Sequence, residues 1–179
     1  VLADGQVMGD SLEVPGLVEQ LTSGSGLGEG ALTTMAQRTY VQRVGARGAA
    51  YVFGAGHCGE KLVAILSLVD FCTVVIDDRA EFANRERFPS ADRIIVPESF
   101  DDVVKSLPLD EESYVVIATR DHAYDQNVLG QALKSAAGYI GMIGSKRKVA
   151  TAFRALEGEG HTAEELARVH APIGISIDA

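Results

Sequence analysis

Ala50-Tyr51-Val52-Phe53-Gly54-Ala55-Gly56-His57-Cys58-Gly59 sets four apolar residues directly against a Gly-x-Gly-x-x-Gly turn. A helical pattern follows at once, with Leu62, Ile65, Leu66 and Val69 spaced i, i+3, i+4, i+7. Strand, glycine turn and helix in that order are the context in which a glycine fingerprint acquires meaning. Gly54 permits the tight turn out of the strand. Gly56 removes a side chain where backbone must approach a ligand, and Gly59 lets the helix lie close to the sheet. The free N–H groups and positive dipole end of that helix favour a phosphate. A second apolar run, Phe71-Cys72-Thr73-Val74-Val75-Ile76, ends in Asp77, about twenty residues past the turn, where an acidic residue accepts hydrogen bonds from a ribose.

Working outward, strands and helices alternate from Ala49 onward, the pattern of a parallel sheet covered on both faces. A polar stretch from Asp78 to Pro89 is pinned by Phe82 and Phe88, and Arg93-Ile94-Ile95-Val96 reads as a third strand. Ser99 is placed to cap a short helix holding Val103, Val104 and Leu107. Tyr114-Val115-Val116-Ile117-Ala118 is near-continuous in apolar residues, as buried parallel strands are. A helix with Val128, Leu129 and Leu133 follows, then a fifth strand, Tyr139-Ile140-Gly141-Met142-Ile143. The next helix carries Val149, Phe153 and Leu156 on one face. Thr162 and Glu165 spell a capping box for a last helix, and Pro172–Ile177 is expected to form a sixth strand. The fold class is therefore α/β: a Rossmann-like, doubly wound parallel sheet in three layers with a short N-terminal appendage. Its domain runs from 49 to 179. Residues 1–48 are Gly-rich and form an appendage or linker, the expected remnant of an upstream domain. Within them Ser23–Gly30 reads as flexible linker, Val14, Leu17, Val18 and Leu21 as a short amphipathic helix, and Thr39–Val44 as an edge strand.

In a 3-2-1-4-5-6 sheet the chain reverses between strands one and four, so Gly54–Gly59, Thr119–His122 and Gly144–Lys148 meet at the carboxyl edge with Asp77 beside them. Gly144-Ser145-Lys146-Arg147-Lys148 puts three cations at a helix start, unfavourable for the dipole unless an anion lies between them. The alternative is a solvated basic turn. His122 and Asp125, three apart, fit either a tuned proton-transfer pair or a structural cap. Cys58, in the first turn of a helix, is open between a reactive or soft-metal-binding thiol and a small, semi-buried packing residue. Cys72 reads as core, and His57 stands beside the phosphate position.

A net charge of −9 argues against non-specific nucleic-acid binding, which needs a Lys/Arg-rich face. Hydrophobic residues make up 46% of the chain, enough for a core. No apolar run reaches membrane length and no signal-peptide pattern is present. Two cysteines without a Cys-x-x-Cys pair point to a reducing, cytoplasmic setting. The four histidines lack metal-site spacing. Opening on Val1, the chain reads as a trimmed version of a longer one.

Val52–Gly59, Asp77-Asp78-Arg79 with Phe82-Ala83-Asn84 and Arg87-Phe88-Pro89, Thr119–His122, Tyr139–Lys148 and Pro172-Ile173-Gly174 occur together and in this order. From Tyr51 to Ile177 the chain resembles the C-terminal Rossmann domain of the XdhC/CoxI family, accessory factors of xanthine dehydrogenase and related molybdenum hydroxylases. The resemblance implies a cytoplasmic maturation factor rather than a turnover enzyme. Such a factor binds the molybdenum cofactor (molybdopterin form), promotes its sulfuration with a cysteine desulfurase, and passes it to the apo molybdenum hydroxylase. Its cofactor-binding residues would be Gly54, Ala55, Gly56, His57, Cys58 and Gly59, then Asp77, Asp78 and Arg79, then Thr119, Arg120 and His122, then Gly144, Ser145, Lys146 and Arg147. No metal ligands are assigned beyond a contact between Cys58 and the molybdenum site. A homodimer is an accompanying expectation. Residues 1–48 carry no glycine-glycine-cysteine motif of the family's N-terminal domain.

Two rival readings share the turn. One is an NAD(P)-dependent oxidoreductase, with NAD favoured over NADP because Asp77-Asp78 repels a 2′-phosphate. The other is a regulatory domain that senses a nucleotide. Fold alone does not separate the three.

Overall fold

The computed structural model describes residues 48–175 and two backbone strands upstream of them. The chain divides into two compact units, Val1–Ala46 and Arg47–Ala179. In the first, β1 (Gly30–Thr33) pairs antiparallel with β2 (Arg38–Val41). Gly30 is thus a strand residue rather than the end of a linker, and the strand expected over Thr39–Val44 begins one residue earlier. The helix expected around Val14 lies outside the described residues.

The second unit is a six-stranded parallel sheet in the order β5-β4-β3-β6-β7-β8. Its strands are β3 (Ala49–Phe53), β4 (Cys72–Ile76), β5 (Arg93–Ile95), β6 (Ser113–Ile117), β7 (Tyr139–Met142) and β8 (Val169–His170). The fold is the doubly wound α/β sheet read from the sequence. β3 is central and in register with both neighbours, Ala49 beside Cys72 on one flank and Ser113 on the other. From β3 the chain winds one way to β4 and β5, then returns past β3 to β6 and winds the other way. Right-handed crossovers in opposite directions must lie on opposite faces. Accordingly α1 (His57–Leu68) packs on one face through Val63 against Val52, Val75 and Val116. The opposite face is covered by α2 (His122–Leu133) and α3 (Lys146–Gly158), whose Val128, Leu129, Val149 and Leu156 meet Phe53, Ile76, Ile117 and Ile140.

Three details depart from expectation. The buried side of α1 is Gly59 and Val63, flanked by half-buried Leu62 and Leu66, while Ile65, Leu68 and Val69 are exposed. Gly59 is the cause: without a side chain it is the point of closest approach, and the apolar periodicity centres on it. Ser99 caps no helix; its hydroxyl accepts from the Asp101 N–H, and Val103, Val104 and Leu107 are buried around one short 3₁₀ turn. The sixth strand is Val169–His170, ahead of Pro172, because the proline has no N–H to give a ladder. The expected Thr162–Glu165 capping box does form, at the start of α4 (Ala163–Ala167).

On the α1 face, an aromatic row crosses the strands. Phe71, Tyr114, Tyr139 and His170 have successive ring centroids 5.2, 5.8 and 4.6 Å apart. Burial in this row raises the Tyr139 hydroxyl above its ordinary pKa. Cys72, expected in the core, is only half-buried at the start of β4.

Candidate functional site

The carboxyl ends of β3, β4, β6 and β7 carry every residue assigned to the site from sequence. At the end of β3, Gly54 has φ +116°, and a Cβ there would lie 2.1 Å from the Ala118 carbonyl oxygen. The turn is thereby locked against the strand next door. Its N–H donates to the Ile76 carbonyl of the other neighbour (2.8 Å). Gly59, in the first turn of α1, would drive a Cβ to 2.1 Å from the Gly54 carbonyl oxygen. Gly56 differs from both: a Cβ there meets nothing within 4 Å. It is the N-cap of α1 and supplies no side-chain cap, so the helix opens toward free space. His57 and Cys58 are both exposed on this first turn. The reading of Cys58 as a semi-buried packing residue is therefore set aside.

The sequence assigns Asp77 to a ribose; the structure turns it inward. Asp77 is 1% exposed. One carboxylate oxygen accepts from the Ala55 N–H (2.8 Å) and Arg79 Nη2 (3.0 Å); the other accepts from Arg79 N–H (3.1 Å) and Nε (2.9 Å). A carboxylate has about four acceptor positions, and these are filled. Asp77 acts on the site by holding the glycine turn at Ala55. Arg79 is equally committed: it lies 3.8 Å from the Phe82 ring centroid, and its hydrogen bonds to Asp77 raise its pKa.

A second clamp went unread in the sequence. Arg87 donates to the Ala55 carbonyl (2.9 Å) and pairs with Glu60 of α1 (2.9 Å), while lying 5.0 Å from the Phe82 ring on which Arg79 also stacks. Arg87, carried only by the resemblance, and Phe82, read as pinning the polar stretch, thus have a physical role. With Asp77 they fix both polar backbone atoms of Ala55.

Asp78, beside Asp77, is free of the turn. It forms a bidentate ion pair with Arg120 at the end of β6, with Nη2 to Oδ2 at 2.8 Å and a second contact from Nη1 to Oδ1. Hydrogen bonds from Arg120 hold its carboxyl below the usual range, and Arg120 is raised in return. β3 lies between β4 and β6, so this pair passes over the end of β3. Arg120 Nη1 is also 4.0 Å from Asp77, and its guanidinium carbon is 4.7 Å from the Tyr124 ring centroid.

Of the two readings of His122 and Asp125, the proton-transfer pair does not form. His122 is exposed, and Asp125 is 1% exposed. Asp125 instead accepts from the Thr119 N–H (3.0 Å) and hydroxyl (2.5 Å) and is ion-paired with Lys148 of α3. This network joins the β6 and β7 loops. Ser145 caps α3 by accepting from the Lys148 N–H (3.2 Å), leaving Lys146 and Arg147 exposed. His122, Ser145, Arg147 and Lys148 line a cavity of about 370 Å³ between the α2 and α3 N-termini. Among the described residues the larger cavity, about 730 Å³, runs along α2 past Gln131 and His161 and contains none of the crevice residues; size alone does not make it the site. Replacing Lys148 by Met is expected to cost about 3 kcal/mol, since a buried carboxylate is left unpaired. Adding Asp125→Asn should restore part of the loss, as read by thermal melting.

Among the described residues no helix is long and apolar enough to cross a membrane, and no three His, Cys, Asp or Glu gather as for a metal ion.

Compared with known proteins, residues 50–179 match the family model described as the XdhC Rossmann domain. The uncharacterized protein YqeB of Escherichia coli is 31% identical over 144 residues, covering 80% of this chain and 26% of that protein. A crystal structure described as a xanthine dehydrogenase from Bacillus halodurans superposes with a TM-score of 0.62 at 34% identity, over 74% of this chain and 37% of that one. The NAD(P)-binding domain of an exopolyphosphatase-related protein from Archaeoglobus fulgidus gives 0.49 at 22% identity over 59% and 80%, a likeness too slight to argue from. The chain thus spans well under half the length of the first two relatives.

Proposed function

Since the chain belongs to the XdhC Rossmann-domain family, we propose that it is an accessory factor for a molybdenum hydroxylase of the xanthine dehydrogenase type, gripping the molybdenum cofactor by its phosphate at the Gly54–Gly59 turn. Its partners on this reading are the apo-hydroxylase and a cysteine desulfurase, and it holds the cofactor through sulfuration and transfer. The observation that carries the reading is the open end of α1: an N-terminus without a side-chain cap, behind a glycine whose missing Cβ faces free space. Backbone N–H groups at such an end suit a phosphate whatever it is attached to.

The fit concerns that phosphate. Among the described residues nothing collects around a metal, so the molybdenum would keep its own ligands, with the exposed Cys58 thiol as the one soft group on the same helical turn. What the chain itself supplies is rigidity: Asp77 and Arg87 hold Ala55, and Asp125 ties Thr119 to Lys148. When bound, the cofactor would supply the metal, and the desulfurase the sulfur. A nicotinamide dinucleotide at the same turn is the second reading, supported by the glycine spacing and the sheet topology. In that case its ribose would meet some residue other than Asp77.

Mass spectrometry of small molecules released from purified protein, with molybdenum analysis, separates the two. A pterin with molybdenum is the expected result. NAD or NADH alone would overturn it. Hydroxylase activation by a Cys58→Ser variant at the wild-type level would remove the thiol from the mechanism while leaving the phosphate grip intact.

A further inference from the structure

We propose that Asp78 is an internal rival of the ligand: it occupies the guanidinium of Arg120 that would otherwise take a phosphate oxygen pair, so the Asp78–Arg120 link sets how strongly the glycine turn discriminates among phosphate ligands. The inference rests on the phosphate-binding reading of the turn.

Four charged groups crowd the end of β3: Asp77, Asp78, Arg79 and Arg120. Asp77 is filled by Arg79 and by the Ala55 N–H, which anchors it to the turn, and Arg79 gives its Nε and Nη2 to Asp77. The other two span the crevice. Arg120 reaches from the β6 loop across β3 to the β4 loop, and its Nη1 stands 4.0 Å from the same Asp77 that holds Ala55. A cation placed there is one carboxylate away from the turn. Its side chain is 36% exposed, against 24% for Arg79, so it is the more exposed of the two. The Tyr124 ring beneath it provides a surface along which it can be held in either state.

A guanidinium offers a planar fork that suits a carboxylate or a phosphate by the same two-pronged geometry. In the structure the fork is given to Asp78. A phosphate at the turn therefore competes with Asp78 for it. The exchange trades one two-pronged partner for another at a guanidinium that is partly exposed, and a phosphate brings more charge to the same fork. A ligand with one weakly charged group gains too little to displace Asp78, and a diphosphate gains enough. The link thus acts as a threshold. The sequence places both residues among the ligand contacts; the geometry gives them opposite signs.

The test is a double-mutant cycle on the full chain, with inorganic pyrophosphate as the probe and binding read by calorimetry. Asp78→Asn keeps the shape and is expected to tighten binding roughly three- to tenfold. Arg120→Gln is expected to weaken it about tenfold. In the Arg120→Gln background, Asp78→Asn should change binding by less than about twofold, because its effect passes through Arg120. Unchanged or weaker binding by Asp78→Asn overturns the proposal. So does a gain that persists without Arg120, which would be a field effect only. Wild-type binding that is lost in Gly56→Val would keep the phosphate-binding reading alive through either failure. No pyrophosphate binding by wild type or Asp78→Asn would overturn both.

Discussion

Gly54→Ala is expected to prevent stable folding of the Rossmann unit or lower its melting temperature by at least about 10 °C. Two costs add at one atom. The backbone sits at φ +116°, where an L side chain is strained, and the new methyl would stand 2.1 Å from the Ala118 carbonyl oxygen. That oxygen belongs to the segment leaving β6, so the clash is with backbone and no rotamer relieves it. Relief requires β3 and β6 to part at their carboxyl ends, where Ala118 N–H donates to the Phe53 carbonyl at 2.8 Å. The combined penalty is about 4 kcal/mol or more. A circular-dichroism melt decides it; a shift under about 3 °C would mean the turn relaxes in a way the geometry does not suggest.

Two residues on, Gly56→Val is expected to do the reverse. Its Cβ has no neighbour within 4 Å, and its backbone is extended at φ −75° and ψ −171°, which valine adopts readily. The fold should therefore survive with a loss of about 1 kcal/mol, the cost of a poorer N-cap. Binding should fall at least about a hundredfold for any ligand whose phosphate approaches the α1 N-terminus, because the isopropyl group fills that approach. Calorimetry with pyrophosphate and with NAD reads this directly. Wild-type affinity in a well-folded Gly56→Val variant would move the site away from the turn altogether. The pair separates two roles that one motif conceals: Gly54 is a glycine for the protein and, on the proposed reading, Gly56 is a glycine for a ligand.

That distinction marks how far the sequence is legible. Strand runs such as Tyr114–Ile117 and the turn at Gly54–Gly59 are local patterns, and topology then dictates which loops meet. Local chemistry also gives the cap at Thr162. Pairings between distant segments are another matter. Asp125 stands three residues from His122 in the chain but pairs with Lys148 on the next helix, because α2 and α3 lie side by side on one face. Nothing in the spacing of Arg87 announces that it reaches the Ala55 carbonyl. Asp77 illustrates the limit: its position matches a ribose acceptor, yet the neighbouring Arg79 and the turn itself take up its oxygens. Whether an acid faces a ligand depends on how many donors the fold has already aimed at it.

The central place of β3 has a consequence for the order of assembly. It is the first strand of the sheet to be made, yet each flank waits for a partner encoded later: Ala49 meets Cys72 on one side and Ser113 on the other. Until β6 arrives, the growing chain holds at most β5-β4-β3 with the other edge of β3 unpaired, and the peptide group against which Gly54 closes does not yet exist. Parallel pairings over such separations are slow to form and leave strand edges exposed meanwhile. On the ribosome, then, the glycine turn is written early and completed late. On the proposed reading, a phosphate ligand would recognise only chains whose second half has docked, so cofactor loading would itself report that folding is finished.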